Sequence, residues 1–76
     1  MSIMCELRIK NSYKDNYIVV SAWRDVDKKS LITKSNNLLK EIINTNVDAK
    51  IEYDEIYDHD FGGTLFFTAT LVIGMY

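Results

Sequence analysis

The chain opens on a two-residue alternation. Ile3, Cys5, Leu7 and Ile9 fall on one side of an extended backbone, and Met4, Glu6, Arg8 and Lys10 on the other. That period predicts a half-buried strand over residues 3–10. The segment NSYKDN (11–16) is rich in turn-forming residues, and YIVVSAWR (17–24) is β-branched and aromatic, the signature of a second strand. So short a link favours an antiparallel hairpin.

The period then changes. Leu31, Ile32, Leu38, Leu39, Ile42 and Ile43 recur at helical spacing, with Ser35 inside their arc and Lys29, Thr33, Asn36, Asn37, Lys40 and Glu41 opposite. This predicts a helix over 28–44 with one core-facing stripe. Asp25 and Asp27 offer N-caps, and Asn44 or Asn46 suits a left-handed C-cap covered by Val47. Residues 49–58 read as a third strand, and DHDFGG as a turn. The clearest strand is 64–75, with Leu65, Phe67, Ala69, Leu71, Ile73 and Met75 on one face and Thr64, Phe66, Thr68, Thr70 and Val72 on the other.

The expected fold is α+β: a two-layer ββαββ arrangement in which one helix packs on one face of a four-stranded, mainly antiparallel sheet. The last strand is apolar on both faces and belongs in the centre beside the first, and the acidic third strand belongs at an edge. Phe67 and Tyr17 are expected in the core. The face without a helix would present Met4, Phe66, Val72 and the threonines, a candidate homodimer interface.

Composition narrows the class. A chain of 76 residues, 47% hydrophobic and 26% charged, is expected to form a single folded domain over 1–76. It is too short for a dinucleotide-binding fold, a solenoid or a multidomain enzyme. A domain of this size buries only about 60% of the surface its unfolded chain exposes, so support from a partner is expected. Cys5 is the single cysteine, which excludes an intramolecular disulfide, fits a reducing cytoplasm and suits a small core residue. The first residues lack a signal-peptide pattern, and the uncharged run 61–76 is too short for a spanning helix and alternates like a strand. A cytoplasmic location without membrane contact is expected.

Charge is unevenly placed. Residues 1–50 hold all nine basic residues and six acidic ones, whereas 51–76 hold Glu52, Asp54, Glu55, Asp58 and Asp60 with no Lys or Arg. On one face of the third strand Glu52, Asp54, Asp58 and Asp60 form a row with Lys50 and Ile56, alternate side chains standing about 6.6 Å apart. Such a row either docks onto a cationic groove or keeps an edge strand from pairing. Tyr53 and Tyr57 beside it are candidate partner-binding anchors.

Other chemistry is poorly represented. Asp54, Glu55, Asp58, His59 and Asp60 lie within seven residues, but without the calcium-loop pattern or a second His or Cys nearby, so no metal site or cofactor is expected. No phosphate loop, GxSxG or HExxH occurs, and no catalytic residue is assigned. The lysines at 28, 29, 34 and 40 scatter around the helix, and a pI near 5.2 argues against direct nucleic-acid binding.

Ile, Lys, Asn and Tyr supply 27 of the 76 residues, the usage of an AT-rich genome. In size, acidic row and composition the chain resembles, as a class, phage-encoded inhibitors of host defence, anti-CRISPR proteins among them. No motif carries the likeness, and it transfers no residue. The expectation is a non-enzymatic inhibitor that binds a larger nucleic-acid-handling protein with a basic groove, in a host cytoplasm if phage-encoded. Glu52, Tyr53, Asp54, Tyr57, Asp58 and Asp60 would make the contact. The alternative is a homodimeric assembly module using Met4, Phe66 and Val72.

Overall fold

The structure, a computed structural model, describes residues 2–60 and 62–74. The expectations placed on Phe61 and Met75 lie outside the described residues. The elements are β1 (Ser2–Asn11), β2 (Tyr17–Arg24), α1 (Lys29–Asn44), β3 (Ala49–Asp58) and β4 (Thr64–Ile73). The strands form one mixed sheet in the order β2-β1-β4-β3. Each hairpin is antiparallel, and the two join through parallel pairing of β1 with β4.

The order follows from the side chains. TLFFTATLVI is the segment apolar enough to be covered on both faces, so it takes a central place as β4, and AKIEYDEIYD with five charges takes an edge as β3. The register aligns Cys5 with Phe67, Leu7 with Ala69 and Ile9 with Leu71, which brings the apolar sides of β1 and β4 onto one face. Leu31 of α1 closes over that face, and Ile3, Trp23, Leu38, Leu39, Ile42, Ile51 and Leu65 pack around it.

The helix start is held by a polar knot. Asp27 Oδ1 accepts the Lys29 amide at 2.9 Å, and Asp25 Oδ1 accepts the Val26 amide at 2.7 Å. The Ser30 hydroxyl donates to Asp25 Oδ2 and accepts the Trp23 indole N–H at 3.1 Å. Neither aspartate is the N-cap expected of it: Lys28 stands at the cap position with no side-chain cap bond, and the two aspartates brace the preceding turn. At the other end Asn46 adopts φ 63°, the expected left-handed stop.

Four further expectations are corrected. First, β4 ends at Ile73 and does not continue through residue 74, because Gly74 turns at φ 114° with its amide on the Asp48 carbonyl. Second, Ile32 and Ile43 lie at the rim of the helical arc and stay exposed, so the buried stripe is narrower than their spacing implied. Third, Tyr17 is outside the core. It pairs with Lys10 on the face without a helix, where its ring lies 4.1 Å from the Arg8 guanidinium. Fourth, that face is less open than expected. Val72 is only 3% exposed, and Thr64 and Thr68 are also buried. Val72 has Lys10 and Lys50 as its lateral neighbours, whose aliphatic stems are long enough to lie across it.

β2 carries one irregularity. Leu7 pairs with Ser21 and Arg8 with Val19, so Val20 is an extra residue, a bulge. The bulge inverts the alternation along β2: Ser21 and Trp23 share the helix side with Ile18, while Ala22 and Arg24 share the other side with Val19 and Tyr17.

Candidate functional site

β3 is an outer strand, and its alternation divides the candidate residues between two faces. Glu52, Asp54, Ile56 and Asp58 pair with Thr70, Thr68, Phe66 and Thr64 and stand on the face without a helix. Tyr53, Glu55 and Tyr57 pair with Ala69, Phe67 and Leu65 and stand on the helix side. The six residues assigned to partner binding therefore share one strand and its following turn, but no single face. They surround the edge of the sheet from both sides.

The acidic residues differ in their surroundings. Glu52 has Lys50 Nζ at 3.6 Å, an exposed pair that contributes little. Asp58 is half-buried and accepts the Asp60 amide at 2.9 Å, which fixes the turn after β3. Asp54 accepts its neighbour's amide, that of Glu55, at 2.9 Å. Among the described residues no Lys or Arg forms an ion pair with Asp54, Asp58 or Asp60. Asp54 and Asp60 are exposed, whereas the half-buried Asp58 carboxylate is partly engaged by the turn.

On the helix side the edge carries a cleft of about 190 Å³ between α1 and β3, with Lys28, Leu31, Ile32, Tyr53, Glu55 and Phe67 among its lining. Drug-sized ligands take about 300–1,000 Å³, so this space suits a single side chain better than a substrate. Lys28 Nζ lies 3.2 Å from Glu55 and 5.6 Å from the centre of the Phe67 ring, spanning the mouth. Tyr53 Oη is 2.9 Å from Ser35 Oγ, which also donates to the Ile32 carbonyl at 3.0 Å. This fastens the β3 edge to the helix and leaves Tyr53 53% exposed.

Tyr57 lies edge-on to His59, ring centres 4.6 Å apart, with its hydroxyl over Gly63. A Cβ at Gly63 would stand 2.6 Å from that oxygen, and Gly63 holds φ 78°, so a glycine here satisfies both the turn and the tyrosine. Sequence reasoning found the two tyrosines but missed Lys28, Ile32 and Ser35. The available signal was the polar Ser35 inside an apolar arc.

The proposed dimer residues are unequal. Met4 and Phe66 are half-buried neighbours in a row that runs Arg24, Met4, Phe66, Ile56 across the sheet, and Val72 stands three rows away, buried.

No group of three or more His, Cys, Asp or Glu among the described residues is placed to hold a metal ion. Among the described residues no helix is long and apolar enough to cross a membrane. Comparison with protein-family models, with curated proteins and with solved structures returns no match.

Proposed function

We propose that the chain is a small non-enzymatic binding protein that docks its β3 edge onto a larger partner bearing a basic groove, and blocks it. The reading is supported by one observation above the others. An outer strand presents aspartates with no basic partner among the described residues, immediately beside a side-chain-sized cleft and two half-exposed tyrosines. Asp54, Asp58, Asp60 and Glu52 supply the long-range attraction that steers encounter. Tyr53 and Tyr57 supply rigid apolar area that loses water on contact. A groove built to hold phosphates has the matching charge, so the partner class is a nucleic-acid-handling protein, and the role is inhibition of the kind that phages direct at host defence.

The test compares tagged wild type with a variant carrying Glu52→Gln, Asp54→Asn, Asp58→Asn and Asp60→Asn, in nuclease-treated lysate at low and high salt. The expected result is a nucleic-acid-handling protein retained by wild type at low salt, released at high salt and absent from the folded variant. Equal recovery by both proteins, or retention indifferent to salt, overturns the proposal.

A further inference from the structure

The cleft between α1 and β3 has two kinds of lining. Leu31 and Phe67, both buried, and Ile32 and Tyr53, both open to solvent, make its walls apolar. Its mouth carries charge. Glu55 stands on the helix side of β3, and Lys28 Nζ meets its carboxylate at 3.2 Å while lying 5.6 Å from the centre of the Phe67 ring. The space measures about 190 Å³ with Lys28 in that place. The protein's own cation, reaching over from the helix start, thus sits at the mouth without filling the apolar space.

We propose that this cleft seats one arginine side chain of the partner, its guanidinium taking the place of the Lys28 ammonium on Glu55 and over Phe67, and its stem lying along Leu31, Ile32 and Tyr53. The inference rests on the reading of β3 as the docking edge, and it names the side chain that this edge receives. Apolar walls with a carboxylate at the mouth fit a side chain that is apolar along its length and cationic at its end, which describes Lys and Arg. A purely apolar side chain would take water from the Lys28–Glu55 pair without replacing its contacts. Lys28 itself shows that the Phe67 ring and the Glu55 carboxylate accept one cation together.

Three points favour the exchange. First, both side chains of the Lys28–Glu55 pair are 55% exposed, so the pair contributes little to the fold and opens at little cost. Second, a guanidinium meets a carboxylate with two parallel N–H donors and lies flat on an aromatic ring, whereas an ammonium is a compact point charge. Third, the surrounding charge does not oppose a second cation. The helix start is neutral in sum, with Asp25 and Asp27 against Lys28 and Lys29. Lys34 on the same helix is drawn to the Trp23 ring at 5.0 Å, and Glu52, Asp54 and Asp58 add negative potential from the other face of β3.

The test is a titration of the isotope-labelled full chain with N-acetyl-arginine methylamide, and with the uncharged norleucine analogue, followed by backbone amide shifts. The arginine probe is expected to saturate with a Kd on the order of 10 mM, and the norleucine probe to bind more weakly. The shifts are expected at residues 28–35, 53–55 and 67. Lys28→Ala clears the mouth and is expected to bind the arginine probe at least about threefold tighter, and Glu55→Gln at least about threefold more weakly. Both side chains are exposed, and circular dichroism checks each fold. The titration needs no lysate, so failure of the seat and failure of the β3 docking reading are separate results. Norleucine binding as tightly as arginine overturns the inference, as does a Lys28→Ala variant that binds no tighter. So do shifts centred on Glu52 and Asp58, or no saturable shift in wild type and Lys28→Ala up to about 50 mM probe.

Discussion

Asp54→Asn should stabilise the free protein, and the size of the gain follows from the geometry of β3. The nearest charge on the same face is Glu52, about 6.6 Å away along the strand. Two unit charges at that distance repel by about 0.6 kcal/mol in water without salt. With a Debye length of about 8 Å at physiological ionic strength this falls to about 0.3 kcal/mol. Lys50 beside Glu52 offsets part of it, and Glu55 on the other face is paired with Lys28, so neither strengthens the repulsion. The substitution keeps the one local bond Asp54 makes, because asparagine also offers an Oδ1 to the Glu55 amide.

The expected gain is therefore about 0.3–0.6 kcal/mol at low salt, less than half of that at 0.5 M salt. With a urea dependence of about 1 kcal/mol per molar for so small a chain, the midpoint rises by roughly 0.3–0.6 M. Urea titrations of both proteins at 10 mM and 500 mM salt, followed by Trp23 fluorescence, measure it. A loss of more than about 0.5 kcal/mol at low salt would refute the reasoning. It would mean that the carboxylate is bound by its own molecule, and a charge already in use cannot be the one offered to a partner.

Leu31→Ala should cost about 2–5 kcal/mol in urea unfolding, a large share of the roughly 4–11 kcal/mol expected of 76 residues. Cys5 is 1% exposed, and burial first, then the charges of Asp25 and Asp27, push its thiol above the usual cysteine range; a thiol reagent should label it only as fast as the protein unfolds. Gly63→Ala should destabilise more than Gly62→Ala, since both sit at positive φ but only the first meets Tyr57, and thermal midpoints of the two variants rank them. The Ser30 hydroxyl, with the Val26 and Asp27 amides, holds the Asp25 carboxyl below the usual aspartate range. Its stabilising contribution is present above that range and is lost as the pH falls through the folded value, so Asp25→Asn should flatten part of the acid limb of a stability–pH profile.

The elements were readable because each has a period of its own. Alternation marked β1 and β4, and the Leu31–Ile43 spacing marked α1. Even the strand order was accessible, since the most apolar segment belongs in the centre and the most charged at an edge. The site was less readable. Alternation along β3 does separate Asp54 from Tyr53, but which side the helix takes decides what each of them meets. The cleft arises between Ile32 and Tyr53, residues far apart in the chain, and its polar fastening depends on Ser35 lying opposite Tyr53. The bulge at Val20 left no mark in the sequence, because YIVV is β-branched or aromatic at every position and gives no alternation to interrupt. Tyr17 was misplaced for that reason, and the bareness of β2 went unseen with it.

A single helix cannot cover this sheet. Four strands place the outer two about 14 Å apart, while a helix with its side chains is about 10–12 Å across, so one edge strand must be left bare. Which edge is bare is decided by the polar contacts. Tyr53 to Ser35 and Lys28 to Glu55 draw α1 toward β3, whereas among the described residues β2 reaches the helix through Trp23, its indole on Ser30 and its ring 5.0 Å from Lys34 Nζ. The covered edge carries its row of acids on the opposite face, with Ala49 and Ile51 half-buried on the helix side and Tyr53 and Tyr57 there half-exposed. The bare edge keeps its apolar residues and has no helix to bury them. A chain with so small a core gains most where apolar area is still wet, which is along Tyr17–Val20. The two edges thus differ in what they offer to solvent: β2 an apolar strip at Tyr17–Val20, and β3 a row of carboxylates with a cleft on its helix side.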